Sequence, residues 1–284
     1  MSGRPMRRWR WITGGPAPAT GLALLGVLFA IAVAGPHLAR WRYDEVDFTA
    51  FGAPPSARHW FGTTQDGRDV YALTLRGMRR SLVTGLLAAL GATGLAALVG
   101  MTAGYLGGRL DRLLMGAVDL LLAVPTLLII MVAAPLLRGG SWLLLAALLA
   151  AVLWMITARA VRAVTISIGR REYVVAARIM GVSSMAIIFR HIAPNLAALL
   201  IIDTAMNVGA AVTAESGLSY LGLGAQPPDS SLGTVIAEGA DAAGVYPWTF
   251  CFAAGLVVLI VLAVHLLADG LRDALDPATE WRRR

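Results

Sequence analysis

The residues of this sequence best placed to do chemistry are polar side chains inside long apolar runs. Asp203 and Asn207 stand four residues apart, a spacing that puts both on one helix face, with Met206 just before Asn207. Asp119 lies six residues before Pro125 in another apolar run. Ionisable groups in membrane helices are costly and typically mark paths for polar solutes. We therefore predict that Asp203, Met206, Asn207 and Asp119 line such a path, with ordinary helix packing as the alternative, above all for Asp119.

Other kinds of chemistry are excluded by what the sequence lacks. All 24 basic residues are Arg, so no phosphate-binding loop of the Gly-x4-Gly-Lys-Ser/Thr type exists. The single cysteine, Cys251, can form no internal disulfide, and no Cys/His group has the spacing of a metal site. No nucleophile stands at the spacing of a hydrolase motif. We expect a chain that is not an enzyme and binds no cofactor or metal itself.

The elements that position these residues are predicted to be membrane helices. The chain of 284 residues is 57% hydrophobic and only 14% charged. A bilayer core about 30 Å thick requires roughly 20 apolar helical residues to cross it. Runs of about that length occur at 21–38, 81–106, 113–137, 142–158, 196–214 and 248–268. An all-α protein with six transmembrane helices follows. Its net charge of +7 comes from Arg beside these runs, which favours lipid headgroups over nucleic acid as the partner.

The distribution of Arg predicts the orientation of the six spans. If both termini are cytoplasmic, 16 Arg lie on the inner side and 8 on the outer side, seven of the latter between residues 40 and 80. The positive-inside rule favours this arrangement. The first run is predicted to be a retained anchor, although a cleaved signal peptide fits its composition as well. Residues 66–80 form either a short helix on the outer membrane surface, capped by Asp66, or a plain connector.

The longest inner loop, residues 159–195, has the pattern of two short helices. Residues 172–180 are rich in helix formers, and Gly181 suits the left-handed residue after a helix end. Ser183 can cap a second short helix, which Pro194 is expected to end. Its apolar residues Met185, Ile188 and Phe189 are too many for a free loop. They require a cover, either the spans of this chain or a groove of a partner.

Several segments of the sequence resemble the permeases of ATP-binding-cassette (ABC) importers. The loop carries the pattern Ala176-Ala177-x3-Gly181, followed by His191 and Pro194-Asn195, as in the coupling loop of those permeases. Segments similar to the C-type subunit of dipeptide, oligopeptide and nickel importers lie at 59–70 (HWFGTTQDGRDV), 103–108 (AGYLGG), 118–125 (VDLLLAVP), 218–228 (LSYLGLGAQPP) and 269–277 (DGLRDALDP). Where the family usually has a Glu before the paired alanines, this chain has Val175, and Glu172 lies one turn earlier.

The resemblance implies an anchor span, within residues 1–58, and a five-span permease core of the type I importer kind at 59–277, before a short tail at 278–284. It implies a homologous B-type permease, two ABC ATPases that use ATP and Mg, and an extracytoplasmic binding protein as partners, in a bacterial cytoplasmic membrane. The outer segment 217–247 is expected to contact that binding protein. Coupling to the ATPase is implied for Glu172, Ala176, Ala177, Gly181, Met185, Ile188, Phe189, His191, Pro194 and Asn195.

Three functions remain open from the sequence. The first is the importer subunit, with dipeptides or oligopeptides as the expected cargo and nickel, glutathione or haem as alternatives. The second is a stand-alone secondary transporter, which would show internal repeats that are not visible here. The third is an intramembrane hydrolase using Ser216 or Ser219 with His265, which no nucleophile motif supports.

Overall fold

The computed structural model describes residues 16–137, 142–224 and 230–275, and these residues form an all-helical bundle. Two isolated β-bridges occur in the connection between α1 and α2. The helices are α1 (Pro16–Leu38), α2 (Val70–Leu106), α3 (Gly108–Ala123), α4 (Thr126–Leu137), α5 (Trp142–Gly169), α6 (Glu172–Ile179), α7 (Ser184–Ile187), α8 (Ala193–Tyr220), α9 (Leu232–Ala240) and α10 (Pro247–Leu275). A π-helical turn at Ile188–Ile192 joins α7 to α8.

Five of these helices, α1, α2, α5, α8 and α10, are long and apolar enough to cross a membrane. The pair α3 and α4 adds a sixth span if the two are counted together. This confirms the prediction of an all-α protein with several transmembrane helices. One end of the bundle carries residues 39–69, here called the cap, and the other carries residues 170–192, here called the hairpin.

The third predicted span is broken rather than continuous. Residues 113–137 were expected to form one span, but α3 and α4, which lie on either side of Pro125, meet at an angle of 85°. Proline has no N–H to donate and disfavours helical conformation in the residue before it. Val124 is accordingly extended, with φ −88° and ψ 128°, and it ends α3.

The start of α2 corrects a second prediction. Residues 66–80 form neither a separate surface helix nor a connector, because α2 begins at Val70 and runs without a break for 37 residues. Asp69, not Asp66, caps it by accepting a hydrogen bond from the backbone N–H of Ala72 at 2.8 Å. Leu73 and Met78 of this helix are buried in the core of the protein, where a helix lying on the membrane surface would not place them. The helix is about 55 Å long, so one end extends beyond the bilayer core.

A stripe of small residues packs α2 against α5. Gly100 and Gly104 lie so close to α5 that an added Cβ would stand 2.6 Å from the carbonyl oxygen of Ala158 and 2.7 Å from that of Arg162. Small residues at a four-residue spacing allow membrane helices to approach closely. On α1, Leu28 and Ala32 are buried in a separate core cluster, shared with residues of α2, α8, α9 and α10.

Candidate functional site

The turn between α6 and α7 is fixed by backbone hydrogen bonds. The N–H of Gly181 donates to the carbonyl oxygen of Arg178, and that of Val182 donates to that of Ala177, both at 3.1 Å. This is the Schellman pattern, in which the residue after the helix adopts a left-handed conformation. Gly181 has φ +78° as predicted. Ser183 then caps α7, its hydroxyl accepting from the N–H of Ala186 at 3.4 Å.

One face of the hairpin packs against the bundle of this chain. Val174, Ala177, Ile187, Ile188 and Ile192 are all buried. They form one cluster with residues of α2, α5 and α8, namely Ala97, Met101, Val161, Ile168 and Leu196. Ala177 and Ile188, both named as coupling residues from the sequence, therefore support the hairpin from within and present no side chain on its surface.

The opposite face of the hairpin is apolar and uncovered in the single chain. Ile179 is 81% exposed, Met180 75%, Phe189 59% and Met185 55%. We call this face the hairpin surface; it also includes the exposed residues Glu172, Tyr173, Val175 and Ala176. Of the two covers considered from the sequence, the bundle of this chain covers the inner face and leaves this one open.

The hairpin is continuous with α8, contrary to the expectation that Pro194 ends a helix. In the intervening π-turn the N–H of Ala193 donates to the carbonyl oxygen of Ile188, five residues earlier. This hydrogen-bond spacing is wider than that of an α-helix, and it accommodates the proline that follows. Asn195 donates its side-chain N–H to the carbonyl oxygen of His191 at 2.7 Å. The region from Ser184 to Tyr220 is therefore a single helical segment of 37 residues.

Inside the bundle, Asp203 joins three helices. Its Oδ1 accepts from the hydroxyl of Thr157 on α5 at 2.7 Å, and its Oδ2 accepts from the hydroxyl of Thr93 on α2 at 2.8 Å. Asn207, one turn along α8, donates to Oδ2 at 2.8 Å. Both carboxylate oxygens are thus engaged by this chain. The two threonines were missed from the sequence, where their only signal is a hydroxyl within an apolar run.

The other residues named from the sequence have different surroundings. Asp119 on α3 is exposed and forms an ion pair with Arg159 of α5, so it does not join Asp203. Met206 is half-buried on α8. His265 is exposed on α10 and contacts the carbonyl oxygen of Val261 through Nδ1 at 2.8 Å. The structure therefore brings together Asp203 and Asn207 but not Asp119.

At the other end of the bundle, the cap is built around a buried histidine. The Nδ1 of His59 lies 2.8 Å from Oδ2 of Asp69, and its Nε2 lies 3.3 Å from Oδ2 of Asp47. Trp41 stacks on the imidazole ring with 5.0 Å between centroids. Hydrogen bonds from the hydroxyl and backbone N–H of Thr49 lower the pKa of Asp47 to about 2. Because Asp69 also caps α2, this cluster fixes the cap onto the bundle.

Comparison with known proteins relates this arrangement to transport. Residues 96–281 match the family described as "Binding-protein-dependent transport system inner membrane component". The chain is 49% identical over 269 residues to the oligopeptide transport system permease protein OppC of Mycobacterium tuberculosis H37Rv, covering 94% of this chain and 92% of that protein. It is 34% identical over 257 residues to OppC of Bacillus subtilis strain 168, covering 90% and 84%.

Proposed function

The chain belongs to the binding-protein-dependent transport system inner membrane components, and we propose that within this family it is a permease subunit of an ATP-driven importer of oligopeptides. The oligopeptide transport named in its relatives supports peptides as the cargo. A second, homologous permease, two ATPase subunits and an extracytoplasmic binding protein complete the machine. Nickel, glutathione and haem are the competing cargoes.

The uncovered hairpin surface is the observation that carries this proposal. Exposed apolar side chains such as Ile179 and Phe189 form a patch of the kind that marks a protein interface. The same hairpin is anchored to the bundle through its buried face. A partner that docks on the surface can therefore move the bundle with it. ATP-driven closure of the ATPases pulls the hairpin, and alternating access of the spans follows.

Co-purification of the ATPase tests the docking surface. Ile179→Asp and Phe189→Asp place charges on exposed positions, so the chain folds while apolar docking is weakened. We expect each variant to lose the ATPase subunits during purification from membranes. Val245→Asp is the matched control, because Val245 is 69% exposed at the opposite end of the molecule. Retention of the ATPase by both hairpin variants contradicts the proposal, as does peptide transport by the lone chain.

The proposal also assigns the hairpin and both termini to the cytoplasm and the cap to the outer side, supported by the 16 Arg against 8. In a chain with Cys251→Ala that is expressed without the ATPase subunits, a cysteine introduced by Ile179→Cys reacts with a membrane-impermeant maleimide only in inside-out vesicles. One introduced by Phe48→Cys, at a cap residue that is 80% exposed, reacts only in right-side-out vesicles. The reverse pattern refutes the orientation.

The cargo is tested by uptake into proteoliposomes that contain the complete transporter and its binding protein. We expect labelled oligopeptides to accumulate in the presence of ATP and to be displaced by unlabelled peptides. Displacement by nickel, glutathione or haem, with no effect of peptides, assigns the chain to another cargo of the same importer class.

A further inference from the structure

A buried carboxylate near the cap end of α8 takes no part in the function described so far. Glu215 is 1% exposed, although it lies only five residues before the end of the helix. Its Oε2 accepts a hydrogen bond from the hydroxyl of Ser81 on α2, and its Oε1 accepts from that of Ser219, both at 2.8 Å. Its burial excludes contact with a solute in this conformation, so its role is exerted through the hydroxyls that it holds.

Those hydroxyls connect Glu215 to the first turn of α9. The oxygen of Ser81 accepts from the backbone N–H of Leu232 at 3.2 Å. The hydroxyl of Ser231 donates to that of Ser219 at 3.3 Å. Ser231 is also the N-cap of α9 and forms a capping box with Thr234. The network therefore joins α2, α8 and α9 at one point.

The backbones of α2, α8 and α9 pack closely at this junction. A Cβ added to Gly77 of α2 would stand 2.7 Å from the carbonyl carbon of Ser231. One added to Gly233 of α9 would stand 2.6 Å from Cα of Ser216. The far end of α9 is linked to the cap by the ion pair of Glu238 and Arg68 at 3.8 Å. α9 therefore lies in direct backbone contact with α2 and α8 at its first turn and is tied to the cap at its far end.

The same helical segment reaches from the hairpin surface to this junction. From Phe189 to Glu215 the segment has no break, and at about 1.5 Å per residue it spans about 39 Å. A displacement of the hairpin thus also moves the cap end of α8, and it moves α9 as well if α9 is bonded to α8 there. Hydrogen bonds to a buried carboxylate are stronger than those between neutral groups.

We propose that Glu215 is a positioning residue for transport: it fastens α9 to α8 and α2 through Ser81, Ser219 and Ser231, so that the displacement of the hairpin moves α9 at the cap end. This inference rests on the proposed importer function. It assigns Glu215 to mechanical coupling and not to binding of the peptide. Its loss uncouples ATP hydrolysis from transport without preventing docking of the ATPase.

The test uses the complete transporter in proteoliposomes, with ATP hydrolysis and peptide uptake measured in parallel. For Glu215→Leu we expect peptide taken up per ATP hydrolysed to fall about tenfold, because loss of the two acceptor oxygens leaves buried hydroxyls unsatisfied. Basal ATP hydrolysis and the yield of the complex remain unchanged. Glu215→Gln keeps the size and one acceptor oxygen and gives a smaller fall. Thr213→Ala is the matched control, since that hydroxyl bonds only its own helix, to Gly209.

A covalent rescue separates fastening from any other role. Ser219→Cys and Ser231→Cys are introduced together with Glu215→Leu in a chain that also carries Cys251→Ala. We expect oxidation to a disulfide to restore uptake per ATP, and a reductant to abolish it again. Formation of the disulfide without restored uptake overturns the proposal, as does wild-type coupling in a Ser81→Ala, Ser219→Ala variant. A wild-type complex without ATP-driven peptide uptake overturns the importer function itself.

Discussion

Replacement of Asp203 by alanine tests whether the polar cluster inside the bundle stabilises the protein or binds peptide. The carboxylate of Asp203 accepts two hydrogen bonds from other helices, from Thr93 and Thr157, and one from Asn207 on its own helix. If the cluster holds α2, α5 and α8 together, its removal lowers the stability of the bundle. If Asp203 lines a path for peptide, its removal changes the affinity for peptide and leaves stability unaltered.

The expected magnitude follows from the two interhelical bonds. Such bonds in membrane proteins contribute on average about 0.6 kcal/mol each, and at most about 1.7 kcal/mol. We therefore expect Asp203→Ala to lower the free energy of unfolding by about 1–3 kcal/mol. The lower half of that range is favoured because a freed threonine hydroxyl can bond a carbonyl of its own helix. Thr204 already does so, donating to Leu200 at 2.7 Å.

Unfolding of the purified protein from mixed micelles, followed by circular dichroism, measures this change. A double-mutant cycle of Asp203→Ala and Thr157→Val isolates one bond, with an expected coupling energy of about 0.6–1.7 kcal/mol. Thr204→Val, whose hydroxyl bonds only its own helix, is the control. A coupling energy near zero refutes the stabilising role of the bond between Asp203 and Thr157. Unchanged stability of Asp203→Asn with a raised KM for peptide uptake supports the path instead.

Three further predictions concern packing, the hairpin turn and the cap. Gly100→Leu should lower the free energy of unfolding by about 1–3 kcal/mol, because a Cβ there meets an α5 carbonyl at 2.6 Å, and thermal unfolding measures this. Gly181 has φ +78°, and a Cβ added there would have no other atom within 4 Å. A substitution at this position therefore adds mainly backbone strain, and retention of the ATPase should be highest for Gly181→Asn, lower for Gly181→Ala and lowest for Gly181→Val. Since Thr49 lowers the pKa of Asp47 from 3.8 to about 2, the stabilisation from Asp47 is complete above about pH 4 and is lost as the pH falls through about 2. The fluorescence of Trp41 should report this loss, and Asp47→Asn should remove that pH dependence.

The spans of this protein could be predicted because burial in lipid leaves an unmistakable pattern. Long apolar runs without charge placed α1, α8 and α10 within about seven residues of their observed bounds, and they placed the start of α5 at Trp142, although α5 continues to Gly169 and the predicted run ended at 158. The early start of α2 was not predicted, because Arg76, Arg79 and Arg80 look like the end of an apolar run. In the structure Arg76 lies over the ring of Tyr43, 3.9 Å from its centroid, which a sequence pattern cannot show.

Proline had opposite consequences at two positions, and only the structure distinguishes them. Pro125 follows an extended residue and separates α3 from α4 by 85°. Pro194 sits in the first turn of α8 behind a π-turn and leaves the helix continuous. A missing N–H breaks a helix where nothing else accommodates it, and it is tolerated where the hydrogen-bond spacing already changes.

The hairpin shows why its residues could be named from the sequence but not assigned to a face. Ala176 and Ala177 are neighbours, yet the first is exposed and the second is buried, since successive residues of a helix point about 100° apart. Val175, which stands where the resemblance to importer permeases leads us to expect a glutamate, is 40% exposed, and Ile179 lies one turn further on the same face. The replacement therefore extends the apolar strip of the hairpin surface at a position that faces outward. The docking of the ATPase proposed above would therefore depend more on buried apolar area and less on charge at this strip, and it would be less sensitive to salt than a contact made by a glutamate. Glu172, exposed at the first turn of α6, is the one carboxylate left on the hairpin surface that could still pair with a basic residue of the ATPase.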